Sequence, residues 1–178
     1  MRMFRRDASG SLVARFESEE AEVLRQLAFE LLQLFDGVDR AEAPATDPAL
    51  LRLLPDAYRD DAEAAAEFRR FTAEDLVRRK MDNARAVVAA LDSAEPEPIK
   101  RRAFSSLGEV TVRLDAAGAL AWLRALADMR LALGVRLGID DDGAEADWAG
   151  RDAKMEGVRN VFDWLAAVQD GLVNALDR

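Results

Sequence analysis

Residues 108–139 read GEVTVRLDAAGALAWLRALADMRLALGVRLGI, and this stretch decides the fold. Val110, Val112 and Leu114 alternate with Thr111 and Arg113, the period of two that marks a strand with one face buried. Asp115 comes next, a side chain suited to accept hydrogen bonds from the first amides of a helix. The residues after it are the most apolar of the chain. Leu120, Trp122, Leu123, Leu126, Met129, Leu131, Leu133 and Leu137 fall on more than one face, which predicts a central helix over 116–139 surrounded on most sides. One strand therefore feeds directly into the main helix.

The same plan is visible at the N-terminus. Residues 3–16, MFRRDASGSLVARF, predict a β-hairpin that turns at Ser9-Gly10, with Leu12, Ala14 and Phe16 on one side and Val13 and Arg15 on the other. Ser18 follows as a helix cap, and Glu19, Glu20 and Glu22 suit the positive end of the helix dipole. Val23, Leu24, Leu27, Leu31, Leu34 and Phe35 recur at helical spacing, and Gly37 is a fitting stop. LVARFESEEAEVLRQL and VTVRLDAAGALAWLRAL thus share a strand, an acidic cap and a helix. This internal echo predicts that the two strands meet in one small sheet.

Between these units lie further helices. Asp47 caps a short one that has Pro48 in its first turn and ends at Pro55. AEAAAEFRRF forms another, and Thr72 with Asp75 reads as a capping box that starts a separate helix over 73–91. Val77, Met81, Ala84, Val88 and Leu91 give that helix a buried stripe. DSAEPEP reads as a rigid acidic loop, and a last helix runs from about Met155 to Leu176. The fold class is mainly α: a helical bundle with a small antiparallel sheet made from the N-terminal hairpin and one later strand. At 178 residues, residues 1–178 are expected to form a single domain.

Composition removes whole classes of chemistry. The chain has no Cys and no His. Disulfides, thiolate nucleophiles, Cys/His zinc sites and imidazole bases therefore have no side chain to supply them. Carboxylates, Lys, Tyr58, Ser and Thr remain, from which a hydrolase or a magnesium enzyme could still be built; the expectation is nonetheless a non-enzymatic protein with no catalytic, metal-binding or cofactor-binding residues. No apolar run approaches the length of a membrane span. The first residues, MRMFRRDASG, lack the apolar stretch of a signal peptide, which gives the expectation of a cytoplasmic protein. A net charge of −9 disfavours DNA, RNA and anionic lipid as partners and favours protein.

Three constellations bear on function. Residues 68–85, FRRFTAEDLVRRKMDNAR, superficially match a helix-turn-helix. The junction carries no Gly, however, and residues 59–85 hold seven acidic residues against seven basic ones. Glu74 with Arg78 and Asp75 with Arg79 are spaced as acid-first pairs, so a self-neutralising solvated face accounts for the stretch. Tyr58, Arg59, Arg78, Arg79, Arg85 and the cluster Lys100, Arg101, Arg102 are the candidate contacts for a protein partner. The acid run DDDGAEAD at 140–147 fails the calcium-loop pattern, because Gly138 stands at the first ligand position and Ala149 at the last. Asp128, Arg130, Asp163 and Gln169 lie in apolar helices, where charges must be paired, and form a candidate buried polar network. A ligand- or metal-binding or hydrolytic module built on Asp128 and Asp163 is the alternative from another class, direct DNA binding is a second, and homo-oligomerisation stays open.

Three blocks carry a family resemblance: DPALLRLLPDAYRDDAEAAAEFRRFTAEDL, VRLDAAGALAWLRALADMRLALGVRLGI and VFDWLAAVQDGLVNAL. Together they resemble the actinobacterial AosR-type oxidative-stress transcriptional regulators, formerly a domain-of-unknown-function family encoded next to ClpS and the Mec/CysO/CysM cluster. The resemblance implies a cytoplasmic regulator with the transcription machinery as its partner. Two departures stand out. Ala127 precedes Asp128 where the family usually has Asn, and the absence of Cys leaves no thiol redox switch in these residues.

Overall fold

The computed structural model describes residues 2–36, 47–55, 61–96, 108–139 and 153–177. Strands β1 (Arg2–Arg6), β2 (Leu12–Glu17), β3 (Glu95–Pro96) and β4 (Glu109–Leu114) form one sheet in the order β1-β2-β4-β3. Every neighbouring pair is antiparallel. The two strands of the internal echo are neighbours at the sheet centre, with Leu12 opposite Leu114 and Phe16 opposite Val110. Among the described residues five helices pack with this sheet: α1 (Ser18–Asp36), α2 (Pro48–Leu53), α3 (Ala62–Asp92), α4 (Ala116–Arg136) and α5 (Ala153–Leu176). The fold is mainly α with a small antiparallel sheet. Among the described residues no helix is long and apolar enough to cross a membrane.

The loop between β1 and β2 runs from Asp7 to Ser11, longer than two residues, which the Ser9-Gly10 turn signal leaves open. One carboxylate oxygen of Asp7 accepts hydrogen bonds from the Ser9 hydroxyl at 2.6 Å and from the backbone amides of Ser9 and Ser11 at 2.9 and 3.1 Å. These bonds, the Ser9 hydroxyl foremost, hold the Asp7 carboxyl below its ordinary pKa, and the charge of Arg113 adds to the effect. Gly10 adopts φ 88°, a left-handed conformation that disfavours any side chain.

The core lies between the sheet and the helices. Trp122 of α4 is fully buried and stacks on Phe16 of β2, with ring centroids 6.0 Å apart, while Phe4 of β1 meets both rings edge-on. Edge and stacked arrangements of this kind match the charge distribution of aromatic rings. α1 presents Ala21, Leu24, Ala28, Leu31 and Phe35 to the core, steps of three and four that keep one face inward. α4 is less enclosed than its composition suggests, since Leu120 and Leu131 remain 44% and 38% exposed.

Both predicted Asp caps are present. Asp47 accepts from Ala49 N at 2.7 Å, and Asp115 accepts from Gly118 N at 2.7 Å. α4 stops where Gly138 turns left-handed at φ 70°, with Gly138 N bonded to Val135 O and Ile139 N to Gly134 O. That pair of bonds satisfies carbonyls the helix end would otherwise leave open. Arg52 of α2 donates to the Ile139 carbonyl at 2.7 Å and ties α2 to this end.

Several local expectations are corrected. α3 is a single helix of 31 residues, not two helices divided at Thr72. A capping box starts a helix only if its first residue leaves helical geometry. No Gly or Pro occurs from 62 to 92 to make the chain do so, and the Ala- and Glu-rich turns before Thr72 propagate through it. Ser18 does not cap α1 with its side chain. Its hydroxyl and its amide both donate to the Gly108 carbonyl, at 2.6 and 2.9 Å, and fasten the start of α1 to the start of β4. Glu20 instead accepts from the Glu17 amide at 2.9 Å. Within the predicted acidic loop, Glu95 and Pro96 are extended and pair with Thr111 and Val110. Pro is tolerated there because the strand lies at the sheet edge.

Candidate functional site

The interior stripe of α3 runs Val77, Ala84, Val87 and Leu91, with Met81 and Val88 only partly buried. In a rhythm of three and four, the place between Val77 and Ala84 belongs to Lys80. Its side chain is 16% exposed and reaches Asp128 on α4, whose side chain is 7% exposed. Lys80 Nζ donates to Asp128 Oδ1 at 2.5 Å. Burial pushes the Asp128 carboxyl above its ordinary pKa, while the hydrogen bond and charge of Lys80 pull it back. The result is a charge pair that joins α3 to α4 inside otherwise apolar surroundings.

A second polar contact joins α4 to α5. Arg130 Nη1 donates to Gln169 Oε1 at 2.8 Å, and the guanidinium carbon lies 5.0 Å from the centre of the Phe162 ring. This combines a hydrogen bond with a cation–π contact. Asp163 joins neither pair. It is exposed on the surface of α5 and accepts from Arg159 Nε at 3.1 Å, one helical turn away. The four polar residues singled out in the sequence thus divide into two interhelical contacts and one surface pair. Asp128 and Asp163 are engaged by different cations and do not form one carboxylate site.

Lys80 and Phe162 complete these contacts and were not singled out in the sequence. Lys80 was hidden inside the run Arg78-Arg79-Lys80, although the spacing from Val77 to Ala84 marks its position as inward. Arg78, Arg79 and Arg85 lie on the exposed side of α3. Arg78 binds Asp75 at 2.6 Å and Arg85 binds Asp82 at 2.9 Å, each three residues apart. Tyr58, Arg59, Lys100, Arg101, Arg102 and the acidic run at 140–147 lie outside the described residues. Among the described residues, no group of three or more Asp or Glu side chains is placed to hold a metal ion.

Residues 1–176 match the family described as "Domain of unknown function (DUF2017)". A Mycobacterium leprae protein that carries the AosR name is 32% identical over 152 residues, covering 82% of this chain and 66% of that protein. The chain therefore spans just under two thirds of that relative's length. Proteins of Mycobacterium bovis and Mycobacterium tuberculosis named "Oxidative stress regulator AosR" are each 32% identical over 183 residues, covering 88% of this chain and 78% of theirs. No solved structure matches the chain.

Proposed function

We propose, from the premise that the chain belongs to the DUF2017 family, that it is a cytoplasmic regulatory protein acting through protein contacts and not through catalysis. The observation that carries this reading is the similarity, over most of the chain, to mycobacterial proteins named oxidative stress regulators. The geometry supports it in a second way. Two of the inward polar contacts join helices, Lys80 to Asp128 and Arg130 to Gln169, so these four residues serve the scaffold. The surface is then left to do the work. An acidic protein of net charge −9 is poorly matched to bare nucleic acid, and the transcription machinery as a protein assembly is the partner we infer.

The chain holds no Cys, so a signal carried by thiol oxidation has no receiver among its residues. In this reading any redox sensing belongs to the partner. The test is affinity capture from an actinobacterial lysate, with the tagged chain as bait and a tagged unrelated acidic protein as control. Enrichment of RNA polymerase components over the control is expected. Equal recovery on both baits would overturn the proposal.

A further inference from the structure

The apolar helix α4 leaves one face open among the described residues. At about 100° per residue, Leu120, Arg124, Ala127 and Leu131 fall within about 60° of one another. Their spacing of four, three and four is that of a seam on which a second helix packs. Leu120 and Leu131 are 44% and 38% exposed, and Ala117, exposed as well, continues the stripe toward the start of the helix. Asp128 and Arg130 stand on its two sides and are taken by Lys80 of α3 and Gln169 of α5. α3 leads into β3 beside β4, and α4 leaves β4, so these two helices run antiparallel. Leu76, one turn before Lys80, is therefore level with Leu131, and it is itself 38% exposed. A lone surface Leu is ordinary, whereas a row at seam spacing marks a contact surface. Arg124 is the odd member of the row. Arg25, Arg78, Arg85 and Arg159 each hold an acidic residue three or four places away on their own helix. Arg124 is exposed and has no hydrogen bond or ion pair among the described residues. The acidic residue four places on, Asp128, is held by Lys80.

We propose that this stripe docks an amphipathic helix of a protein partner, with Leu120, Ala127 and Leu131 packing on its apolar row and Arg124 receiving a carboxylate from the middle of that row. The proposal rests on the protein-contact reading above and names the surface that serves it. Helices are recognised through anchors at this spacing, and Arg is enriched where interfaces gain most of their affinity. The charge in the row selects the partner. A purely apolar helix would bury Arg124 without a counter-charge, and a basic one would repel it. A second copy of this chain fits poorly for the same reason. Arg124 lies midway between Ala117 and Leu131, so a two-fold contact centred on the stripe would set the two Arg124 side chains against each other. Nucleic acid has no apolar row to offer, and the net charge of −9 repels both it and an anionic membrane. From Ala117 to Leu131 the stripe is roughly 20 Å long, the span of a helix of about 14 residues.

The experiment is fluorescence anisotropy with a fluorescein-labelled, Ala-rich amphipathic peptide of about 18 residues whose Leu row carries Glu at its centre. A second peptide has Lys in place of that Glu. Saturable binding of the Glu peptide is expected, weakened about tenfold or more by Leu131→Glu and by Arg124→Glu. Phe29→Glu, at a similarly exposed apolar position on α1, should leave it unchanged. Arg124→Glu should in turn prefer the Lys peptide. Arg124→Gln, checked by its melting curve, gives the same loss of Glu-peptide binding if charge reversal disturbs folding. Equal loss with Phe29→Glu would overturn the proposal, as would no binding by the unaltered protein or no preference between the two peptides. A dimer in sedimentation that Leu131→Glu dissolves would also overturn it, in favour of a second copy. Capture of RNA polymerase by the unaltered protein and by Leu131→Glu alike would sink this surface and leave the regulatory reading standing. Stripe-specific peptide binding without enrichment of RNA polymerase would do the opposite.

Discussion

At the scale of single residues, the Lys80–Asp128 pair is the most informative feature. Removing one member of a buried ion pair leaves a charge with neither water nor partner, whereas replacing both by apolar groups of similar size is often neutral or stabilising. Lys80→Met should therefore lower stability by about 3–5 kcal/mol in a urea melt, and Asp128→Ala should fall in a similar range. The double variant Lys80→Met/Asp128→Leu should recover most of that loss or exceed the unaltered protein. Recovery of nothing would mean that the pair does more than fill its place. The pH dependence has a definite sign. The folded-state pKa of Asp128 is raised above 3.8, so its favourable contribution is complete below that value and is lost as pH rises through the folded value. The stability of the unaltered protein relative to Asp128→Asn should decline as pH increases above about 4, measured by denaturant titration at several pH values. Asp128, Arg130 and Gln169 could be picked out in the sequence because polar groups in apolar helices demand partners. The partner Lys80 could not, because a run of three cations looks like solvent-facing charge until the position of each is counted against the stripe.

At the scale of elements, the contrast between α3 and α4 shows what a sequence signal does and does not convey. The strand and cap ahead of α4 could be read directly, since alternation and a lone Asp before an apolar run leave few other solutions. Thr72 with Asp75 carries an equally good start signal inside α3, yet no stop precedes it, and helix propagation costs less than a break. The distinction can be measured. Pro is well tolerated at the first position of a helix but costs about 3 kcal/mol or more in a helix interior. Ala73→Pro should therefore lower stability by about that much in a urea melt, and a loss near zero would restore the two-helix description. Strand β3 escaped the sequence reading for a related reason: two residues are too few for a period of two to appear, and Pro96 speaks against a strand anywhere but an edge.

At the scale of the whole molecule, the layers are joined by one aromatic group. Trp122 connects α4 with β1 and β2 through Phe4 and Phe16, so it belongs to the sheet and to the bundle at once. Trp122→Ala should cost about 3–5 kcal/mol, seen as a shift of the denaturant midpoint, with β1 loosened first in hydrogen exchange. Mainly α architecture and the pairing of the two echoed strands were legible because hydrophobic periodicity reports which face is buried. The placing of Val13 between Arg5 and Arg113 was not, because Val13 and Arg113 are far apart in the chain and only strand register brings them together. That same register governs how the chain is assembled during synthesis. Leu12 cannot meet Leu114 until β4 has left the ribosome, so the emerging N-terminal hairpin must wait with Phe16 uncovered. Any truncation that ends before Glu109 should leave this hairpin exposed to chaperones and prone to aggregate, however well α1 and α3 form on their own.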